Sequence, residues 1–266
     1  MSVAAEIARV LVVVLGPAMG SAAALLADRL PRGEPVGLTR SRCRSCGRVL
    51  GARELVPVLS WLWQRGRCAG CGAAIPAWLL QAEIAGLALG IGAALVGAGA
   101  GQVLLGALVL WCLLALTLAD LRHFRLPDAL TAALLVLAIG LAVIGDGRHW
   151  PGWPERLAGA LAGAALGAGA FAALRAAYRW RSGREGLGAG DVKLMAGIGA
   201  LTGPGTLAVV TLVAGVSALA VAGWRARARG RRLRRDARLP FGAFLAMAAA
   251  LVWLLTGAPA PFLALR

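Results

Sequence analysis

The chain has 266 residues, 59% of them hydrophobic and 15% charged, with a formal net charge of +16 and a mean hydropathy of +0.76. That leaves too little polar surface for a water-soluble protein of this size, and it excludes a soluble enzyme or binding module. The positive charge is expected to mark membrane topology rather than a nucleic-acid partner, because cytoplasmic loops retain Arg and Lys.

Apolar runs predict an all-α polytopic membrane protein with about eight transmembrane segments, near 10–27, 79–98, 101–119, 129–145, 157–177, 193–202, 205–223 and 241–257. The abundance of Ala and Gly suits helices that pack closely through small residues. The first segment, "VLVVVLGPAMGSAAA", is expected to be a retained span rather than a signal peptide. Glu6 offsets Arg9 before it, and the stretch after it is rich in arginine. Eight crossings place 28–78, 120–128, 178–192 and 224–240 on one side. With Arg175 and Lys193 counted in their adjoining loop, that side holds all 28 basic residues except Arg9, Arg148, Arg156 and Arg266. It is therefore expected to be cytoplasmic, with both termini outside. The run "RARARGRRLRRDAR" (225–238) then lies against anionic lipid. In 193–223 the apolar run is broken by "TGPGT". A single kinked helix there would send the arginine run outside, so two segments are predicted, the first half-buried or re-entrant.

The expected domain plan is a first transmembrane segment over 1–27, a cytoplasmic tetra-cysteine domain over 28–78 and a membrane domain over 79–266. In the second of these, "CRSCG" and "CAGCG" place Cys43, Cys46, Cys68 and Cys71 as two CxxC pairs. Each pair can offer two thiolates to one tetrahedral ion, and the glycine after each pair helps the chain turn back around it. Four sulfurs suit structural zinc with no open position for catalysis. A cytoplasmic location disfavours the other readings, two permanent disulfides or a redox pair. A small loop without much apolar core needs such a staple. Cys112, alone inside a span, reads as a small buried apolar residue.

The third span ends in "LTLADLRHFRLPDAL", with Asp120 at its cytoplasmic end, and "GLGAGDVKLMAG" places Asp191 at the cytoplasmic start of the sixth. The topology brings two acids, far apart in sequence, to the same depth on the same side. Ionisable groups at membrane depth are costly and are functional candidates. Gly188 and Gly190 around Ala189 are expected to let the backbone turn tightly and approach an extended peptide. Two carboxylates can hydrolyse a peptide bond without metal. One, ionised, takes a proton from water, and the other, protonated, donates to the scissile carbonyl. Like charges held close keep the two forms distinct.

"GAGDVK" (188–193), "ADLRHFRLPD" (119–128) and the two CxxC pairs together resemble the type IV prepilin peptidases, GxGD-type aspartyl proteases of the bacterial inner membrane. Further matching stretches are "GSAAALLADRLPRGE" (20–34), "LVPVLSWLWQRGRCAGCG" (55–72) and "LPFGAFLAMAA" (239–249), in the family's order. The resemblance implies Asp120 and Asp191 as the catalytic pair, in an active-site loop with Gly188, Gly190 and Lys193. It implies cleavage of the basic leader of prepilins and pilin-like secretion subunits after a glycine at the cytoplasmic face. It also implies methylation of the new N-terminus with S-adenosylmethionine in many members. Two departures bear on methylation more than on cleavage. The first-span motif GSFLNV reads "GSAAAL", and Tyr-Pro before Glu83 is absent in "AWLLQAE".

Four other polar residues have blander expectations. Lys193 anchors its segment at the interface, and Glu185 either orients the active loop or is solvated. His123 is an interfacial histidine, and Asp128 N-caps the fourth span. Asp191 near a helix N-terminus is expected to hold the charge, and Asp120 near a C-terminus the proton. Two rival functions are a zinc-stabilised transporter, whose acids would relay protons or bind cations, and a non-catalytic pilus or secretion assembly component.

Overall fold

A computed structural model describes residues 2–37, 40–145, 152–183, 185–230 and 239–257. Eight helices follow the predicted apolar runs among these residues, with one short helix in the polar loop. They are α1 (Val3–Arg29), short α2 (Leu59–Trp63), α3 (Ala77–Val96), α4 (Ala100–His123), α5 (Asp128–Ile144), α6 (Trp153–Ser182), α7 (Ala189–Thr202), α8 (Leu207–Ala228) and α9 (Phe241–Thr256). α1, α3, α4, α6 and α8 are long and apolar enough to cross a membrane, which makes this a multi-pass membrane protein. α5 and α9 are shorter apolar helices. α7 has 14 residues and is about 21 Å long, against an apolar layer of about 30 Å.

Several helices run past the apolar stretches that predicted them. α1 begins at Val3, α6 continues to Ser182 and α8 to Ala228, because a helix satisfies its own backbone in water as well as in lipid. The division at "TGPGT" is present: α7 stops at Thr202, Gly203 leaves helical geometry with φ 77°, and α8 starts at Leu207. Part of the arginine run (231–238), Arg148 and Arg266 lie outside the described residues.

α7 is enclosed by α5, α6 and α9. Its residues from Gly197 to Thr202 are all buried. Its packing against α6 depends on two facing glycines. A Cβ on Gly163 would strike the carbonyl oxygen of Gly199, and one on Gly199 would strike that of Gly163. α4 packs on α1, α3, α5 and α9, and Trp111 donates its indole N–H to the Gly86 carbonyl of α3 at 2.9 Å.

The two ends of the bundle differ in chemistry. At one end, two arginines close helix C-termini. Arg9 donates to the Ala94 and Gly97 carbonyls at 3.1 and 3.2 Å, and Arg156 to those of Ala142 and Val143 at 2.9 and 3.1 Å. Last-turn carbonyls lack intrahelical partners, and a cation suits them. The opposite end gathers the end of α1, the starts of α3, α5, α7 and α9, the end of α4 and the cysteine loop.

If the Gly163–Gly199 contact sets the α6–α7 distance, Gly199→Leu lowers unfolding stability by about 3 kcal/mol, since backbone cannot yield to the added side chain. Denaturant unfolding in detergent checks it, and an unchanged midpoint would contradict it.

Candidate active site and metal-binding loop

Asp120 lies in the last turn of α4. That helix ends where Phe124 takes left-handed geometry (φ 51°) and returns its N–H to the Asp120 carbonyl at 2.9 Å. Pro127 cannot continue the ladder, so the chain passes through Arg125 and Leu126 before α5 begins. Asp191 is the third residue of α7, and its Oδ2 accepts the Gly188 N–H at 3.3 Å.

The two carboxylates converge on a third element, the start of α9, to which the motifs assigned no role. Asp120 Oδ2 accepts the Ala243 N–H at 2.8 Å. A Cβ placed on Gly242 would lie 3.2 Å from Asp120 Oδ2, 2.9 Å from Asp191 Oδ1 and 2.8 Å from Leu126 Cδ1. Both acids therefore face the same bare α-carbon, and the two oxygens are no further apart than the sum of their distances to that point. The matching stretch "LPFGAFL" held the only sequence signal for Gly242 and Ala243. The start of α9 is held from α6 by Phe171 stacked on Phe241, with ring centroids 6.5 Å apart.

The glycine turn differs from expectation. Gly188 is the N-cap of α7 with ordinary extended geometry (φ −67°), and Gly190 lies inside the helix. Crowding explains both: a Cβ on Gly190 would lie 3.0 Å from Leu126 Cβ, and one on Gly188 3.2 Å from Asp191 Oδ2. Leu126 thus wedges between α7 and α9, and only small residues admit it.

The premise of the charge ordering also fails. Asp120 closes α4, but its carboxylate faces the α9 N-terminus, so both acids receive helix-start N–H groups. Asp128 is not an N-cap. Pro127 holds that position without a side-chain bond, while Asp128 Oδ1 accepts Lys193 Nζ at 2.7 Å. Lys193 therefore ties α7 to α5. Glu185 accepts Arg175 at 3.0 Å on the surface, and His123 turns toward α1 rather than toward Asp120.

The cysteine loop forms two like-shaped turns. Cys43 N–H donates to the Arg48 carbonyl and Cys68 N–H to that of Ala73, each at 2.8 Å. Gly47 and Gly72 take φ of 72° and 71°, the left-handed geometry expected of the glycine after each pair. The four Sγ atoms lie within 4.8 Å of one another, and those of Cys43 and Cys71 are 3.9 Å apart. A tetrahedral thiolate site with metal–sulfur bonds of about 2.3 Å needs sulfurs about 3.8 Å apart, whereas a disulfide needs about 2 Å. The Cys46 and Ser45 N–H groups draw the Cys43 thiol down to about 6, and those of Cys71 and Gly70 lower Cys68. The Ala73 N–H acts the same way on Cys71, but the sulfurs around it together with burial outweigh that bond and push it up to about 11. Thiolates crowded together in this way suit one shared cation, so the loop can bind a metal ion.

Beneath the loop is a cavity of about 640 Å³, lined by Ala24, Asp28, Glu54, Trp61, Leu79 and Glu83 among others. Glu83 Oε2 accepts the Val58 N–H at 2.7 Å and holds that residue at φ 63°, ψ −54°, a rare and strained γ-turn closed by the Leu59 N–H on the Pro57 carbonyl at 2.6 Å.

A helical membrane bundle with two acids converging at one end, beside a tetra-cysteine loop, defines a membrane protein of the paired-aspartate class. The bacterial peptidase A24 N-terminal domain matches residues 14–96, and the type IV leader peptidase family matches residues 107–223. Proteins described as prepilin leader peptidase/N-methyltransferase are similar over most of the chain. The one from Aeromonas hydrophila is 35% identical, covering 80% of this chain and 71% of its own. That from Dichelobacter nodosus is 34% identical over 80% and 70%, and that from Burkholderia pseudomallei strain 1026b is 37% identical over 82% and 68%. No solved structure matches. The chain belongs to the type IV leader peptidase family.

Titration with Co(II) is expected to show one ion per chain, with thiolate-to-metal charge-transfer absorption lost in Cys68→Ser. Affinity falls as pH falls, because Cys71 must release its proton to bind. Absent absorption, or affinity independent of pH, would contradict this.

Proposed function

We propose that the protein is an intramembrane aspartyl endopeptidase that removes the basic leader from type IV prepilins and pilin-like secretion subunits. It cuts after a glycine at the cytoplasmic face of the inner membrane, and Asp120 and Asp191 form the catalytic dyad. The observation that carries this reading is the convergence of the two carboxylates on the α-carbon of Gly242. Asp120 and Asp191 both lie at one end of the bundle, which suits chemistry on a peptide at the membrane surface and not a path through the bilayer.

In this mechanism the substrate's apolar helix stays in lipid, and its leader junction is drawn to the gap beside Gly242. Two carboxylates this close share one proton. The ionised member removes a proton from water, which attacks the scissile carbonyl, and the protonated member donates to the developing oxyanion. The Ala243 N–H fixes the rotamer of Asp120, the Gly188 N–H that of Asp191, and the missing Cβ at Gly242 leaves room for the water. Gly188, Gly190 and Lys193 position Asp191, the last through its pair with Asp128.

The four-cysteine site is proposed to hold structural zinc, ligated by Cys43, Cys46, Cys68 and Cys71, with every coordination position filled by sulfur. When bound, S-adenosylmethionine would supply a methyl group to the new N-terminal amine, and the cavity beneath the loop is its proposed site. Glu54 and Glu83 offer acceptors for a cationic donor, and Trp61 an apolar wall. Ala24, which occupies the asparagine position of the family motif, also lines it.

Asp120→Asn and Asp191→Asn are each expected to lower prepilin cleavage roughly a thousandfold or more, read as shortened product in membranes. Cleavage surviving either change would refute the dyad. Gly242→Ala should cost roughly a hundredfold in kcat, because moving both carboxylates by a fraction of an ångström spoils alignment, while the fold persists. Ala24→Asn should raise labelled-methyl incorporation into the product without changing cleavage. No incorporation in either protein would remove the methyl-transfer part.

A further inference from the structure

Among the described residues two carboxylates are buried, Asp120 and Asp28. Asp28 closes α1 at the end of the bundle that holds the aspartate pair, and the reaction does not use it. Its Oδ1 accepts Arg32 at 2.8 Å, and its Oδ2 accepts Arg44 at 2.5 Å. The His123 Nε2 lies 3.7 Å from Oδ1, buried and without a hydrogen-bond partner. Arg44 is one of the two residues between Cys43 and Cys46. Its guanidinium also lies 5.6 Å over the Trp78 ring, which Arg122 covers at 4.0 Å.

One carboxylate therefore joins three parts of the molecule: the end of α1, the first CxxC turn, and the last turn of α4, where Arg122 and His123 follow Asp120 by two and three residues. Buried charge persists only when paired, and removing the acid leaves Arg44 and Arg122 facing each other across Trp78 without that counter-ion, while Arg32 keeps Glu34 at 3.7 Å. The last turn of α4 is the part free to shift, since a helix end is held by fewer bonds than its middle. That turn sets the direction of Asp120.

We propose that Asp28 is a positioning residue that couples the metal-holding loop to the catalytic helix. With the loop folded, Arg44 is delivered to Asp28, and the Asp28–Arg44–Trp78–Arg122 cluster fixes the end of α4 behind Asp120. The proposal rests on the peptidase reading above for its kinetic consequence, though not for the link between loop and helix.

The test measures kcat and KM for prepilin cleavage by the full chain and by Asp28→Asn, Asp28→Glu and Arg44→Gln, each before and after metal removal. It also measures the rate of metal release to a chromogenic chelator. Asp28→Asn and Arg44→Gln should each lower kcat about tenfold to a hundredfold with KM little changed, as expected of misplacement rather than lost binding. Asp28→Glu should recover most of it. Metal removal should lower kcat in the parent and add little in either variant, because the link it would break is already broken. Metal should leave both variants several-fold faster. Losses that multiply, a rise in KM with kcat intact, or parent-like metal release would each overturn the proposal. Arg44→Gln removes a half-exposed side chain and carries the test if Asp28→Asn fails to fold. If the parent cleaves no prepilin, the peptidase reading fails, and metal release with hydrogen exchange at the end of α4 still decides the coupling. Parent-like values of both in Arg44→Gln would reject it.

Discussion

The hydrogen bond from the Ala243 N–H to the Asp120 carboxylate, beside the bare α-carbon of Gly242, is the contact on which the site depends. A carboxylate at membrane depth is expensive unless it is paired or hydrogen-bonded. The first N–H groups of a helix are likewise unsatisfied without an outside acceptor. The start of α9 lets each need meet the other. The missing side chain at Gly242 then admits Asp191 from α7 to the same point. Much of the surrounding packing serves that meeting: Leu126 fills the gap between α7 and α9, Phe171 braces Phe241, and the Gly163–Gly199 contact brings α7 close to α6.

The two ends of the bundle use charge differently. At one, Arg9 and Arg156 complete helix C-termini, and Arg9 also pairs with Glu6. At the other, carboxylates, guanidiniums and four thiols are concentrated within a few turns of one another. The cysteine loop has little apolar content of its own, so its shape rests on backbone bonds to its sulfurs and on Glu83 holding Val58, and its four thiols are close enough to share one ion. Its link to the membrane helices is polar, through Arg44 and Asp28.

Much of this was legible along the chain, because some signals are local. Apolar runs found eight helices among the described residues, α7 well short of bilayer length, and the break at "TGPGT" separated α7 from α8, since backbone satisfaction within lipid leaves few alternatives to helix. CxxC spacing found the sulfur cluster, because two residues between ligands is the reach of one tight turn. Asp120 and Asp191 stood out as acids beside apolar runs. Other features carried no local mark. Asp28 resembles any loop acid until Arg44 and His123 are seen around it. Gly242 resembles a neutral small residue until both carboxylates are seen facing it. The roles given to Gly188, Gly190 and Asp128 from local rules were displaced by Leu126 and Lys193, contacts that come from other segments.

The amino-acid order alone determined that this is a helical membrane protein with a four-sulfur loop and two acids at one face, because hydropathy, ligand spacing and charge bias are properties of neighbours in the chain. Which third element receives those acids, and which arginine reaches the buried Asp28, were decided only when the helices packed. Those contacts join residues more than a hundred positions apart in one case and from separate turns in the other. Their energies depend on distance and exclusion from water, and no pattern along the sequence records either.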